Sequence, residues 1–128
     1  MEKSEKSRIK ARIASFGYAF KGIWVMIKTQ PHARFHLMAT LGVTLAGFAF
    51  QLPPIEWGLV LLAMAVVWVA EGMNTAIEFI VDLVSPDYHE LAGRAKDVAA
   101  GAVLIGAIFA ALIAAIIFLP RLYSLVFL

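Results

Sequence analysis

The sequence predicts an all-α membrane protein, in which an N-terminal amphipathic helix precedes three membrane-spanning helices. Its 128 residues are 62% hydrophobic and only 16% charged, with a mean hydropathy of +0.84. A soluble domain of this size would struggle to hide that much apolar surface, so lipid must cover part of it. Three long apolar stretches are separated by polar connections, and an apolar stripe at helical spacing lies before the first of them.

Length and composition also limit the function classes. One domain over residues 1–128 is expected for a chain of this length. The formal net charge of +2 gives no reason to expect nucleic acid as a partner, and the lack of cysteine excludes disulfides and thiolate metal sites. Residues 1–34 carry charges throughout and lack the continuous apolar core of a secretory signal peptide.

The first predicted helix covers about residues 8–29. Its apolar residues recur at steps of four and three along one face, and Lys10, Lys21 and Lys28 lie away from this stripe. An apolar stripe with basic flanks suits a helix that lies on the cytoplasmic surface of a membrane. A helix that only packs on the bundle is the alternative. The stripe consists of Ile9, Ile13, Phe16, Phe20, Ile23 and Ile27.

Three predicted spans follow, at about residues 35–52, 55–80 and 98–119. A span needs about 20 residues to cross the hydrocarbon core, and the first two reach that length only if their polar ends are counted. The prolines of QLPPIEW predict a tight first connection, because proline breaks a helix. The second connection, SPDYHELAGR, is longer and polar.

The basic residues predict the orientation of these spans. Most of the lysines and arginines precede the first span, and Arg94 and Lys96 lie in the second connection. The first connection has none, and the segment after the last span has only Arg121. This bias places the N-terminus and residues 82–97 in the cytoplasm and the C-terminus outside.

Polar residues interrupt the apolar pattern near the end of the second span. Six of the nine acidic residues lie between Glu71 and Asp97. Four polar side chains fall within an arc of roughly 80° at about 100° per residue, and such a row faces a bundle interior or a wet cavity rather than lipid. We expect the row to be functional, although Asp82 and Glu90 could instead pair with a Lys or Arg. The row consists of Glu71, Asn74, Glu78 and Asp82, with Thr75 on the same face.

The depth of this row suggests a chemistry. As a helix, the segment from Ile55 to Ala70 extends about 24 Å, which places Glu71 near the inner edge of the hydrocarbon, where a carboxylate can meet a lipid hydroxyl. Glu78 lies further out and could hold Mg²⁺, which shares oxygen ligands with substrate phosphates. Lys96 could neutralise phosphate charge. Neither a G-x-x-x-x-G-K-[ST] loop nor the protein-kinase motif set is present, so an ATP site here would be of another kind.

One long segment resembles the signature of the small prokaryotic diacylglycerol kinase and undecaprenol kinase family. It covers residues 71–105 and reads EGMNTAIEFIVDLVSPDYHELAGRAKDVAAGAVLI. The family signature is roughly E-x-x-N-[ST]-A-I-E, then V-D, then a short loop ending in A-K-D. GYAFKG at residues 17–22 and the three-span layout extend the likeness over nearly the whole chain. The resemblance implies a homotrimer in a bacterial plasma membrane that phosphorylates a lipid alcohol with MgATP at the cytoplasmic face.

The resemblance also implies roles for individual residues. Glu71 would be the general base, Asn74 would help to place the reacting groups, and Glu78 would bind Mg²⁺. Lys96 and Asp97 correspond to the pair at the phosphates and adenosine. The remaining candidates are Asp87, Tyr88 and His89 of the nucleotide loop, Tyr18 near the nucleotide, and the polar residues Lys21 and Asp82.

Two further positions bear on the metal and on the lipid. Where the family often has a glutamate as a second Mg²⁺ ligand, this chain has Gln30. An amide oxygen can bind Mg²⁺ but brings no negative charge. Gln30 is therefore interpreted either as a metal ligand or as an exposed residue at the helix end. ARFHL resembles the R-x-H form of Gram-positive members, so undecaprenol is the expected substrate and diacylglycerol the alternative. His36 itself is interpreted as an ordinary interfacial histidine.

A non-enzymatic function is the third interpretation. The chain could be a membrane scaffold or a channel-like oligomer whose acidic row lines a pore. Oligomerisation is expected in either case, because three short helices cannot surround the row on all sides, and the small residues of the last span allow close approach. Measurement of ATP turnover with an added lipid alcohol distinguishes these functions, since a channel is expected to turn over no ATP.

Overall fold

The computed structural model describes residues 5–127, apart from the side chain of Lys6, and contains four α-helices and no strand in that range. The all-α class is therefore confirmed. Lys3, one of the basic residues used for the orientation, lies outside the described residues. The helices are α1 (Glu5–Thr29), α2 (Pro31–Ala49), α3 (Pro54–Val84) and α4 (Glu90–Phe127).

Among these described helices, α3 and α4 are long and apolar enough to cross a membrane by length and composition. Most of their apolar side chains are exposed in the single chain, whereas the core helix of a soluble protein would bury them. The 19-residue α2 is not one of the two. The first predicted span, over residues 35–52, therefore stays a prediction.

Helix α1 leaves its apolar stripe uncovered. Ile13 and Phe20 are 67% and 70% exposed, and the first buried side chain of α1 is Met26, close to its end. The helix stops at the residue before Gln30, and Arg34 of α2 bridges the break by donating to the carbonyl oxygens of residues 27 and 28. The stripe thus remains available to a membrane surface, and packing on the bundle is confined to the last turns of α1.

A Schellman-type turn ends α2 and reverses the chain. Gln51 takes the left-handed conformation with a φ of 52°, and the N–H of Leu52 donates to the carbonyl oxygen of Gly47 at 3.0 Å. Pro53 is extended, and Pro54 begins α3, where its fixed φ suits the first helical position. This turn brings α3 back along α2 in antiparallel fashion.

Close approaches hold the hairpin and pack α4 on α3. A Cβ added to Gly47 would lie 2.6 Å from the ring of Trp57, so only glycine lets the two helices meet there. A Cβ added to Gly106 of α4 would meet Val66 at 3.5 Å, and such small residues allow helices to pack tightly in a membrane. Close to the α2–α3 turn, Arg121 Nη2 and Oε2 of Glu56 form an ion pair at 2.7 Å.

The hydrophobic core lies at the end of the bundle that holds this turn. Its buried members are Leu52, Val60, Ile117 and Phe118, with Trp57 and Phe50 packed against them among the partly buried residues. The opposite end, where α1 joins α2 and α3 joins α4, contributes no residue to this cluster. That end, which carries the polar row and the exposed residues 86–89, is called the open end of the bundle below.

Two boundaries differ from the predicted ones. The polar connection predicted over residues 85–94 is an irregular segment only at residues 85–89, because α4 already begins at Glu90. A pair between Glu90 and Arg94, 2.6 Å apart and one turn apart, supports that first turn. Helix α4 also continues past Pro120 to Phe127, with the Arg121 guanidinium donating to the carbonyl oxygen of Ile117 at 2.6 Å.

Candidate active site

Polar pairs follow the interface between α2 and α3 at a constant register. The amide Nε2 of Gln30 donates to Glu78, and Nε2 of His36 lies 3.9 Å from Glu71. The third pair is a 2.9 Å hydrogen bond from Trp68 to Thr40. The two residue numbers add up to 107 or 108 in every pair, as two antiparallel helices require. The polar row therefore faces α2 and the junction with α1.

Glu71 is the most deeply buried charged residue of the described chain, with 1% of its surface exposed. Its Oε2 faces His36, whereas its Oε1 has no hydrogen-bond partner among residues 5–127. A buried carboxylate without partners carries a large desolvation cost. It is usually retained for a function. The uncompensated Oε1 is thus free to accept a proton from a group that enters the site.

Glu78 lies two helical turns beyond Glu71 and accepts two amide donors. Gln30 Nε2 is 2.7 Å from one carboxylate oxygen, and Asn74 Nδ2 is 3.1 Å from the other. Asn74 is 6% exposed, and its Oδ1 has no hydrogen-bond partner among the described residues. The structure thus brings three predicted site residues into one hydrogen-bonded cluster: Gln30, Asn74 and Glu78.

The oxygen atoms of this cluster suit Mg²⁺. The ion prefers hard oxygen ligands and is commonly held by one or two carboxylates together with substrate phosphates. Glu78 supplies a carboxylate, and the unpartnered Asn74 Oδ1 and the amide oxygen of Gln30 are neutral oxygen donors. No three His, Asp or Glu residues within the described range are grouped closely enough to hold a metal alone. A Mg²⁺ at this cluster would therefore need ligands from a substrate.

Two acidic residues beyond Glu78 pair with basic side chains. Asp82 accepts from Lys96 of α4 at 2.5 Å, and Glu90 accepts from Arg94. The pairing left open for Asp82 and Glu90 in the sequence is thus present. It also means that Lys96 has a carboxylate partner, which phosphate oxygens would have to share or replace.

Four of the candidate nucleotide residues make no hydrogen bond or ion pair with the row among the described residues. The loop residues Asp87, Tyr88 and His89 are exposed, Tyr88 by 93%. Asp97 is exposed on α4, and no hydrogen bond or ion pair in residues 5–127 joins these four to Glu71, Asn74 or Glu78. A nucleotide that bridged them would have to span the open end of the bundle.

Two grooves flank the row. The first, of about 580 Å³, lies between α1 and α3, and Tyr18 and Lys21 line it together with Trp68 and Phe79. The second, of about 290 Å³, is enclosed by α2, α3 and α4 and is lined almost wholly by apolar side chains. His36 lies in the lining nearest to the row and is the one charged or titratable side chain there. Glu71 does not line this groove, but His36, which does, lies 3.9 Å from the carboxylate.

The placement of His36 differs from that of an ordinary interfacial histidine, which local pattern predicts. Its side chain is only 13% exposed and faces Glu71. Facing positions in an antiparallel hairpin have residue numbers with a nearly constant sum. The Gln30–Glu78 and His36–Glu71 pairs have nearly the same sum, so the register of the hairpin indicates that His36 faces Glu71. The hydrogen bond between Trp68 and Thr40 also depends on this register and is not apparent from local pattern.

Comparisons with known proteins identify the family of this chain. The model of the family described as prokaryotic diacylglycerol kinase matches residues 17–118. An undecaprenol kinase from Bacillus subtilis (strain 168) is 38% identical over 120 residues, which is 94% of this chain and 98% of the relative. A diacylglycerol kinase from Synechocystis sp. is 40% identical over 88% of this chain and 65% of its own length. The diacylglycerol kinase of Escherichia coli (strain K12) is 34% identical over 77% of this chain and 80% of its own length. The chain therefore belongs to the prokaryotic diacylglycerol kinase family.

Proposed function

We propose that the chain transfers the γ-phosphoryl group of ATP to the primary hydroxyl of a membrane lipid alcohol, and that this alcohol is undecaprenol. Family membership supports the lipid kinase activity. The observation that carries the proposal is Glu71, a buried carboxylate with one unpartnered oxygen, whose neighbour His36 lines an apolar groove. That arrangement suits the deprotonation of an alcohol attached to an apolar chain.

In this proposal Glu71 is the general base. Its Oε1 accepts the proton of the lipid hydroxyl while the lipid oxygen bonds to the γ-phosphorus and the bond from that phosphorus to the ADP oxygen breaks. Asn74, one turn away and hydrogen-bonded to Glu78, positions the reacting groups. Such transfer depends mainly on alignment and charge stabilisation, so few protein groups are needed.

Glu78, Gln30 and Asn74 would hold Mg²⁺ with the phosphates of ATP. When bound, the ion would neutralise charge on the transferring phosphoryl group. Lys96 would add a positive charge once phosphate oxygens compete with Asp82 for it. Tyr18, Asp87, Tyr88, His89 and Asp97 are proposed to contact the nucleotide, and Lys21, which lines the α1–α3 groove with Tyr18, remains a further polar candidate.

The membrane arrangement is part of the same proposal. Helices α2, α3 and α4 span a bacterial plasma membrane, α1 lies on its cytoplasmic surface, and the active site faces the cytoplasm. We also propose a homotrimer, in which neighbouring subunits would cover the open end of the bundle, where Tyr88 is exposed. Each site would then be completed by more than one subunit.

The lipid preference is tested by a substrate panel. Purified protein in bilayers is given MgATP with undecaprenol, farnesol-like alcohols or diacylglycerol, and kcat/KM is measured for each. We expect the highest value for undecaprenol, in keeping with the undecaprenol kinase that matches over most of its length. A higher value for diacylglycerol would reverse the assignment of the substrate and leave the lipid kinase activity in place.

The role of Gln30 gives a separate prediction. Gln30→Glu should lower the Mg²⁺ concentration that gives the half-maximal rate, because a second carboxylate 2.7 Å from Glu78 adds ligand charge. Gln30→Ala should raise it modestly. Lipid KM should change little in both variants. The rates are measured at fixed ATP, so that free Mg²⁺ is the only variable.

Thr29→Glu is the matched control for Gln30. It adds the same charge one residue earlier, where the side chain is exposed and its hydroxyl donates only to the Val25 carbonyl. Its Mg²⁺ midpoint should match wild type. If both Gln30 variants also match wild type, Gln30 is a helix-end residue and Glu78 works as the one protein carboxylate for the metal.

A further inference from the structure

We infer that His36 is a positioning residue for the Glu71 base: its Nε2 holds Oε2 of Glu71 and thereby leaves Oε1 directed at the lipid hydroxyl. The inference rests on the proposed function of Glu71 and adds a residue to it. His36 lies on α2 and would touch neither the phosphates nor the metal. It would act only through the carboxylate.

The first support is the surroundings of Glu71. Within the described chain, the imidazole of His36 is the one basic group within 4.0 Å of the carboxylate, at 3.9 Å from Oε2. The hydroxyl of Thr75, one turn away, donates to the backbone oxygen of Glu71 and not to its side chain. Orientation of the carboxylate therefore depends on His36. The two carboxylate oxygens are inequivalent, since Oε2 faces the His36 imidazole and Oε1 has no hydrogen-bond partner among residues 5–127.

The second support is the way α2 is held against α3. Trp68 donates to Thr40 at 2.9 Å, and these residues lie about one turn from Glu71 and His36 on their respective helices. This bond fixes the register that makes the imidazole face the carboxylate. The ring of Phe35 meets the His36 ring edge-on at 5.9 Å between centroids. His36 is thus held on the protein side of the apolar groove rather than left free in lipid.

The distance also agrees with a positioning role. At 3.9 Å the pair is longer than a hydrogen bond, which needs about 2.7–3.2 Å. Hydrogen bonds of catalytic groups are often long in structures without substrate and shorten in the complex. When a lipid hydroxyl engages Oε1, a short movement of the carboxylate would bring Oε2 within bonding distance of Nε2.

Three substitutions test the inference. His36→Gln keeps an amide nitrogen near the position of Nε2, His36→Asn moves it to the position of Nδ1, and His36→Leu fills the apolar groove without any donor. We expect kcat with undecaprenol to stay within severalfold of wild type for Gln. It should fall by about 10- to 100-fold for Asn and Leu, the scale of a base misplaced by ~1 Å. The KM for ATP should not change in any of them, because the nucleotide is held elsewhere.

The ranking separates positioning from packing. If His36 only fills space in the groove, Leu will retain kcat and Gln and Asn will not, which would overturn the inference. Equal kcat in all three variants, high or low, would overturn it as well. His32→Leu, at an exposed position on the same helix, serves as the control and should keep wild-type kcat.

Failure of the inference is distinguishable from failure of the proposed function. Glu71→Gln is assayed beside the His36 variants. A strong loss in Glu71→Gln with wild-type kcat in His36→Leu removes His36 alone from the account. Wild-type kcat in both variants removes Glu71 as the base, and the inference about His36 then fails together with it.

Discussion

Glu71→Gln should lower turnover of the lipid substrate by about 10²- to 10⁴-fold, the usual contribution of a positioned general base. The substitution keeps the shape of the side chain and removes its ability to accept a proton. The Tm should not fall, because the change removes a buried charge whose Oε1 has no partner among the described residues. Turnover is measured with undecaprenol and MgATP on purified protein whose oligomeric state matches wild type.

Glu56→Gln provides the control on the same helix. Glu56 lies near the start of α3 and pairs with Arg121 at 2.7 Å, far from the polar row. We expect turnover close to wild type for it, even if its Tm falls after loss of the pair. Near-normal turnover in Glu71→Gln would remove Glu71 from the mechanism. Equal losses in both variants would show that any disturbance of α3 is enough.

Glu78→Ala should raise the Mg²⁺ requirement strongly or abolish activity. Glu78 is the one carboxylate of the cluster, and its loss also leaves the amides of Gln30 and Asn74 without their acceptor. Glu78→Gln keeps the side-chain shape and should show a similar requirement, since charge is the main determinant of affinity at such sites. Rates are measured over a range of free Mg²⁺ at fixed ATP.

Glu90→Ala is the matched control for Glu78, because it removes an exposed carboxylate that pairs only with Arg94. Its Mg²⁺ titration should overlay that of wild type. If the titration of Glu78→Ala overlays wild type too, the metal is held by other residues. The cluster of Gln30, Asn74 and Glu78 would then serve only to join α1 to α3.

The helical class and the inward direction of the polar row follow from local pattern. Glu71, Asn74 and Thr75 lie on one helical face of a segment that is otherwise apolar, and all three are buried. No long-range information is needed for this, because the helical period alone places them together. The same holds for the break before α2, where Pro31 follows Gln30.

The partners of these residues could not be read from local pattern. Gln30 and Glu78 are far apart in the sequence and meet only because α2 folds back on α3 in one register. That register depends on the close approach of Gly47 and Trp57 and on the left-handed Gln51, which is an uncommon residue for this conformation. Local pattern without this register does not predict that His36 faces Glu71.

The start of α4 shows a different limit. Residues 85–94 are rich in polar and turn-forming types, and their composition predicts a loop. The structure begins α4 at Glu90, where the Glu90–Arg94 pair and an acidic residue in the first turn both stabilise the helix. Composition does not distinguish a polar helix end from a polar loop, so the boundary needed the three-dimensional contacts.

The central claim is that this chain moves phosphate from ATP to a lipid alcohol. The most direct test uses ATP labelled in its γ-phosphate with purified protein in bilayers that contain undecaprenol, and follows label in the lipid together with release of ADP. We expect labelled undecaprenyl phosphate and ADP to appear in equal amounts, and both to fall by about 10²- to 10⁴-fold with Glu71→Gln. Release of ADP without any lipid label, from undecaprenol or from diacylglycerol, would contradict it, and so would the absence of ATP consumption, which a channel-like oligomer predicts.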